Sequence, residues 1–230
     1  TAVAVFGVSI LKYLETKAVK NEGSWHVAVE GLQESEIAQL GQDERVKSIS
    51  LQEEVGYIKG SENDGDYIRI VNRDGNAWKN LPLQLEKGRI PENDREILIP
   101  YEGMELDGQE IGVGDKVTLE PGLFFEDGRH IVAAQMSIPS NDEEGETRGD
   151  ESEGPIFRQT ETITYDVVGV YRDMAQSRGA SGFYGYVLIA GPPEKVNEQS
   201  YCDAYIEMKK PKDADGFISD YLEGKEYESY

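Results

Sequence analysis

Alternation with a period of two becomes regular just after Gly23, where Trp25, Val27 and Val29 fall on one side and His26, Ala28 and Glu30 on the other. That is the pattern of a strand with one buried face. Over 32–44, Ile37, Ala38 and Leu40 recur among Glu and Gln, which predicts a short amphipathic helix, and β character returns over 46–58. The three together read as a βαβ-like unit. Asp64-Gly65 can take the positive φ angles of a tight turn, and 67–71 reads as the returning strand. A second turn at Asp74-Gly75-Asn76 leads into 77–91, partly helical by composition but interrupted by Pro82 and Pro91.

Beyond Ile97 the pattern shortens. Segments 97–101, 116–119, 130–134, 163–171 and 184–190 read as short strands separated by Gly-rich and acidic turns, which predicts a small β-rich subdomain. The segment 202–211 reads as one more strand. It is followed by a helix over 213–222 with Phe217, Ile218, Tyr221 and Leu222 on its apolar side. Strand followed by helix thus occurs near both ends of the chain. The terminal units are expected to pack together as one α/β subdomain with the middle inserted as β structure, although pattern alone leaves the strand order open.

The amino terminus breaks this pattern. TAVAVFGVSIL, 1–11, carries no charge before Lys12, too short a run for the roughly 20 apolar residues that cross a bilayer and without the basic region of a signal peptide. It reads as the outer end of a transmembrane helix continuing into a stalk helix that stops at Gly23. An ordinary core helix is the alternative, because Val3, Phe6, Ile10 and Leu14 also fall at helical spacing.

Composition narrows the function classes. The 230 residues hold 45 acids against 23 bases, a net charge of -22, which repels phosphate backbones and leaves no basic stripe; nucleic acid is excluded as a partner. Seven of those acids, against one Arg, crowd into 140–154, which is expected to be a disordered surface loop. It lacks the D-x-D-x-D-G register of a calcium loop, and whether it binds calcium stays open. The single cysteine, Cys202, can form no internal disulfide.

Catalytic signatures are missing. Gly179-Ala180-Ser181-Gly182 has the wrong spacing for a nucleophile elbow, and His26 and His130 have no metal-ligand neighbours in sequence. Gly112-Val113-Gly114 lacks the third glycine of a dinucleotide loop and reads as a turn. Carboxylates are so abundant that none is singled out as a glycosidase pair. The chain reads as no enzyme.

The stretch LPLQLEKGRIPENDREILIP, 81–100, combines Leu-Pro, Gly-Arg-x-Pro and Glu-Ile-hydrophobic elements. It resembles the corresponding stretch in extracellular domains of ABC-transporter permeases of the FtsX/MacB type. GSWHVAVEG after the amino-terminal helix, IGVGDKVTL over 111–119 and ITYDVVGVYRD over 163–173 agree with that family in the same order. The carboxy-terminal part is not distinctive.

The resemblance implies an α+β fold like the MacB periplasmic core. A porter-like α/β subdomain would comprise 23–80 and 192–230, a β-rich insert 81–191, and the end of a transmembrane helix with its stalk 1–22. It implies a Gram-positive cell membrane with this domain outside, where it would couple cytoplasmic ATP hydrolysis to handling of a peptide, antibiotic or lipid-linked substrate by mechanotransmission. The domain itself would hold no cofactor, since ATP belongs to a separate cytoplasmic subunit or domain. The implied partners are that ATPase, through the membrane region, and a second permease copy. An extracellular peptide or protein ligand also fits, because the alternative role is a sensing or binding module that contacts a ligand or activates a cell-wall hydrolase. Gly88, Arg89, Pro91 and Glu96 match the family motif, and each reads structurally: a special backbone angle, a cation for a nearby carboxylate, a stiffened turn, and a carboxylate of the Glu-Ile element.

Overall fold

The computed structural model describes residues 23–59, 67–101, 103–106, 108–126, 128–131, 155–172, 187–193, 200–221 and 227–229. The chain runs β1 (Val27–Leu32), α1 (Glu34–Leu40), β2 (Val46–Lys59), β3 (Tyr67–Arg73), α2 (Ala77–Asn80), β4 (Gln84–Gly88), β5 (Glu96–Pro100), β6 (Met104–Leu106) and β7 (Gln109–Ile111). It continues with β8 (Lys116–Leu119), β9 (Gly122–Glu126), β10 (Arg129–Ile131), β11 (Ile156–Gln159), β12 (Ile163–Arg172), β13 (Val187–Ala190), β14 (Cys202–Met208), α3 (Ala214–Tyr221) and β15 (Tyr227–Ser229). The fold is α+β. One mixed sheet carries the order β15-β1-β14-β2-β3-β13-β5-β12-β4, and β6 and β7 form a separate hairpin.

At one end of the sheet the two chain termini interlock. β14 lies between β1 and β2, antiparallel to both, so β1 and β2 run parallel without touching. β1 in turn lies between β14 and β15. The βαβ-like unit of the amino-terminal segment is therefore split: its two strands are neighbours in sequence but are separated in the sheet by a strand about 150 residues away, the split-βαβ motif used twice over. Both helices cover the same face, because Leu40 of α1 and Phe217 of α3 share one buried cluster with Val27, Val29, Ile206 and Met208. A period of two in β1 and β14 and a period near 3.6 in α3 meet there, which is why these segments were readable as strand and helix.

β2 connects this layer to the rest. Its first part pairs with β14 from Val46 to Glu53, and β3 pairs along the other side from Gln52 to Lys59. Where β14 ends, β9 takes over that side through the single pair Tyr57↔Gly122. Gly56, at φ +144 in a β-bulge, makes the approach possible, since a Cβ there would lie 2.8 Å from the Gly122 carbonyl oxygen. Beyond this point both faces of the sheet are covered. Ile70, Ile97, Ile99, Val117, Tyr165 and Leu188 share one cluster, and Val71, Leu98, Tyr171 and Ile189 pack on the opposite side. Central burial on both faces explains the unbroken apolar run Ile97 to Pro100.

One local expectation changes. The partly helical reading of 77–91 shrinks to one turn, α2, because Pro82 cannot continue a helix, and 84–88 becomes strand β4. All five β4 residues are exposed, so no alternation betrays the strand. Phe124 and Phe125 lie within β9, with Phe124 buried against Tyr57, Tyr67 and Phe157. The amino-terminal segment 1–22, the Asp64-Gly65 turn, the acidic loop 140–154 and Gly179 to Gly182 lie outside the described residues. Among the described residues no helix is long and apolar enough to cross a membrane.

Candidate functional site

The chemistry-bearing residues gather where β2 changes partners. Glu54 lies in β2 just before the bulge, with its side chain fully buried. Its Oε2 accepts from the Tyr57 hydroxyl at 2.6 Å and from Arg69 Nε at 3.2 Å, while His130 Nε2 lies 3.1 Å from Oε1. Arg69, on β3, also donates from Nη1 to Asp203 on β14 at 2.7 Å. A second relay runs alongside it, from Arg73 Nε to Gln52 Oε1 at 2.9 Å and from Gln52 Nε2 to the Tyr205 hydroxyl at 3.0 Å. Four strands that pattern alone could not have placed together, β2, β3, β10 and β14, thus share one polar network.

Burial sets the electrostatics. Desolvation pushes the Glu54 carboxyl up, but the His130 contact, the Arg69 charge and the Tyr57 hydroxyl outweigh it and hold the group below the usual carboxylate range. Burial and the neighbouring carboxylate push the Tyr57 hydroxyl up, and the two carboxylates hold Arg69 charged against its own desolvation. Cys202, fully buried on β14, is driven up to about 12 by burial and nearby carboxylates, which makes it a packed apolar side chain rather than a nucleophile. Buried charges of this kind position strands, since the oxygens of Glu54 are already committed to protein donors.

Next to the network a cavity of about 590 Å³ opens between β2 and β3, the turn before β5, and β9, β10 and β12. Carboxylates of Glu53, Asp94 and Glu161 line it together with Leu123, Phe125 and Tyr165. Among the described residues no group of three His, Cys, Asp or Glu side chains is placed to hold a metal ion.

The motif residues lie elsewhere, at the sheet edge. Gly88, the last residue of β4, has φ +83, and a Cβ there would come within 2.1 Å of the Val168 carbonyl oxygen. That carbonyl accepts from the Arg89 amide at 3.0 Å. The Arg89 guanidinium forms a bidentate pair with Glu96, both contacts 2.6 Å, and the Glu92 amide donates to the same carboxylate at 2.9 Å. Pro91 is buried in the turn that this clamp closes. The four residues fasten β4 and the start of β5 to opposite sides of β12. None of them reaches the cavity lining or the Glu54 network. The sequence signal for the latter was Glu53-Glu54, two adjacent acids in the middle of a strand, which the strand assignment passed over.

Hydrogen bonding to Arg89 holds the Glu96 carboxyl down at about 2, and the Arg45 side chain does the same for Asp43. Both lie below the ordinary values near 4 of an unfolded chain. A carboxyl depressed in the folded state contributes stability that is complete above the unfolded value and is lost as pH falls through the folded one. The thermal midpoint is therefore expected to fall steadily from about pH 4.5 to 2.5, and Glu96→Gln should flatten that fall. Parallel pH profiles for the two proteins, followed by circular dichroism, would contradict the role given to the Arg89–Glu96 pair.

No protein-family model matches the sequence, and neither does any curated protein sequence. Several solved structures are similar in shape, among them three transporter domains. The extracellular domain of the noncanonic ABC-type transporter YknZ from Gram-positive bacteria is 11% identical, with a TM-score of 0.45 over 88% of this chain and 99% of that one. The periplasmic region of MacB from Actinobacillus actinomycetemcomitans is 9% identical, with a TM-score of 0.47 over 91% and 90%. A domain of a protein described as a permease from Porphyromonas gingivalis is 9% identical, with a TM-score of 0.39 over 90% and 83%.

Proposed function

We propose that this chain is the extracellular domain of an ABC-transporter permease subunit, in the cell membrane of a Gram-positive organism, and that it transmits movement rather than catalysing a reaction. Residues 23–80 and 192–230 form the porter-like unit that takes up the movement, and 81–191 form the β-rich insert that handles the substrate. The observation that carries this reading is the route of β2. Its first part belongs to the layer built from both chain termini, and its second part carries β3 and the contact with β9. A push on the termini is thereby handed to the insert through β2 and its neighbour β3, which pairs with β13, stiffened at the change of partners by the Glu54–Arg69–Asp203 network. The ordered agreement of 23–31, 81–100, 111–119 and 163–173 with FtsX/MacB-type permeases supports the same reading. ATP is hydrolysed by a cytoplasmic partner subunit, and two permease copies stand side by side.

The test uses the complete permease with its ATPase in membranes. Glu34 is exposed at the start of α1, and a spin label on Glu34→Cys in both copies reads the distance between them. Trapping the ATP-bound state is expected to shift that distance by several ångströms, and a membrane-impermeant thiol reagent added to intact cells should modify the same cysteine. An unchanged distance rejects mechanotransmission. Protection from the reagent rejects the extracellular placement.

A further inference from the structure

We infer that His26 is a proton-sensitive fastening between the start of β1 and the end of β14, which holds while the ring is neutral and lets go when it is protonated. His26 stands just before β1, and its main-chain amide donates to the Ile206 carbonyl at 2.9 Å. The ring completes the join from the other direction, because the Met208 amide donates to His26 Nδ1 at 2.9 Å. A ring nitrogen that accepts from an N–H carries no proton, so the imidazole is the neutral Nε2–H tautomer. Protonation would set N–H against N–H. Met208 is 2% exposed, so its amide would be left with neither an acceptor nor water.

The charges around the ring leave this arrangement in place. Glu207, next to Met208 on β14, favours an imidazolium, but its carboxylate is taken up by Lys47 Nζ at 2.7 Å and the Ser48 hydroxyl at 3.1 Å, both from β2. Before β2, Arg45 is committed to Asp43 and Asp220, and Lys209 Nζ donates to the Glu44 carbonyl. α2 contributes the Asn80 carbonyl, which accepts from the Ser24 amide, and the exposed Lys79. β15 sets Glu228 opposite Ala28, and Glu30 lies further along β1. Burial pushes the imidazole down, Glu207 draws it up by less and Lys47 adds to the fall, which leaves it below the ordinary value of 6.5. A histidine lowered in the folded state contributes stability that is complete above about 6.5 and is lost as pH falls through the folded value. That window lies above the one set by Glu96 and Asp43. The bonds from Ser24 to Asn80 and from His26 to Ile206 do not titrate, so acid loosens this join without unfolding the sheet.

The fastening concerns this chain alone; that it would tune the entry of movement from 1–22 into β1 rests on the permease reading. The test is an NMR titration of the 230-residue chain from about pH 7.5 to about pH 5, following the His26 ring nitrogens and the Met208 amide. The ring should be the Nε2–H tautomer at the upper pH and take up its proton with a midpoint below 6.5. Across the same midpoint the protection of the Met208 amide from exchange, corrected for the intrinsic effect of pH, should fall about tenfold. His26→Asn keeps an acceptor where Nδ1 stands and cannot be protonated, so its Met208 amide should stay protected at both pH values. His26→Phe keeps a ring without an acceptor and should show the low protection at both. Thermal midpoints of the two variants separate loss of the join from loss of the fold, and the tautomer of the parent decides if either variant fails to fold. An Nδ1–H tautomer at the upper pH, a midpoint at or above 6.5, or Met208 protection that does not follow the ring each overturns the inference. A normal titration beside an unchanged Glu34→Cys distance would reject the permease reading and leave the fastening standing.

Discussion

Arg69→Met is expected to lower the stability of the folded chain by about 3 kcal/mol, because it removes the one cation shared by two buried carboxylates. The Arg69 side chain is 22% exposed, whereas that of Glu54 is 0% and that of Asp203 6% exposed. Methionine fills much of the same volume, so the loss is electrostatic more than steric. The signature lies in pH. Without Arg69 the desolvated Glu54 carboxyl rises from its depressed position, so protonation costs the folded variant less than it costs the parent. Its deficit relative to the parent should therefore shrink as pH falls from 7 to about 4, the opposite of a simple packing defect. Urea denaturation at both pH values measures it. Arg69→Lys should recover only part of the loss, since an ammonium cannot present one fork to Glu54 and another to Asp203. A deficit independent of pH would show that the network is not the source of the stability.

Gly88→Ala is expected to cost on the order of 3 kcal/mol, more than a positive φ alone can explain. Two effects add at this position. The residue has φ +83, which L side chains rarely adopt, and its Cβ would meet the Val168 backbone carbonyl at 2.1 Å, with Gly169 Cα at 2.7 Å. Neither atom can move without separating β4 from β12. Gly128 provides the control: it has φ +75, yet a Cβ there meets nothing within 4 Å. Gly128→Ala should therefore cost only about 1 kcal/mol. Comparable urea midpoints for the two variants would mean that close packing of β4 on β12 contributes little.

These two positions differ in how visible they were. Gly88 sits in a Gly-Arg-x-Pro string whose residue types already imply a special angle, a cation and a stiff turn, so its surroundings could be anticipated from a few adjacent letters. Arg69 sits in YIRIVNR, where it looks like an outward-facing strand residue. Its partners Glu54 and Asp203 lie 15 and 134 residues away, and no local period links them. The same limit hid the cavity, whose lining comes from eight or more separate stretches between Glu53 and Ser200. β4 escaped for another reason: a strand with every residue exposed carries no hydrophobic alternation to read.

By itself the sequence determined what depends on neighbours along the chain: the period of two in β1, β8, β12 and β14, the amphipathic faces of α1 and α3, the break at Pro82, and an acidic surface unsuited to nucleic acid. Only the tertiary structure decided that β14 enters between β1 and β2, that β2 passes from β14 to β9, and that buried carboxylates find their cations there. Local propensity and patterning are short-range, and they say which face of an element seeks cover. Which distant strand supplies the cover is settled by the simultaneous burial of all those faces in one sheet, where each strand has only two edges to pair.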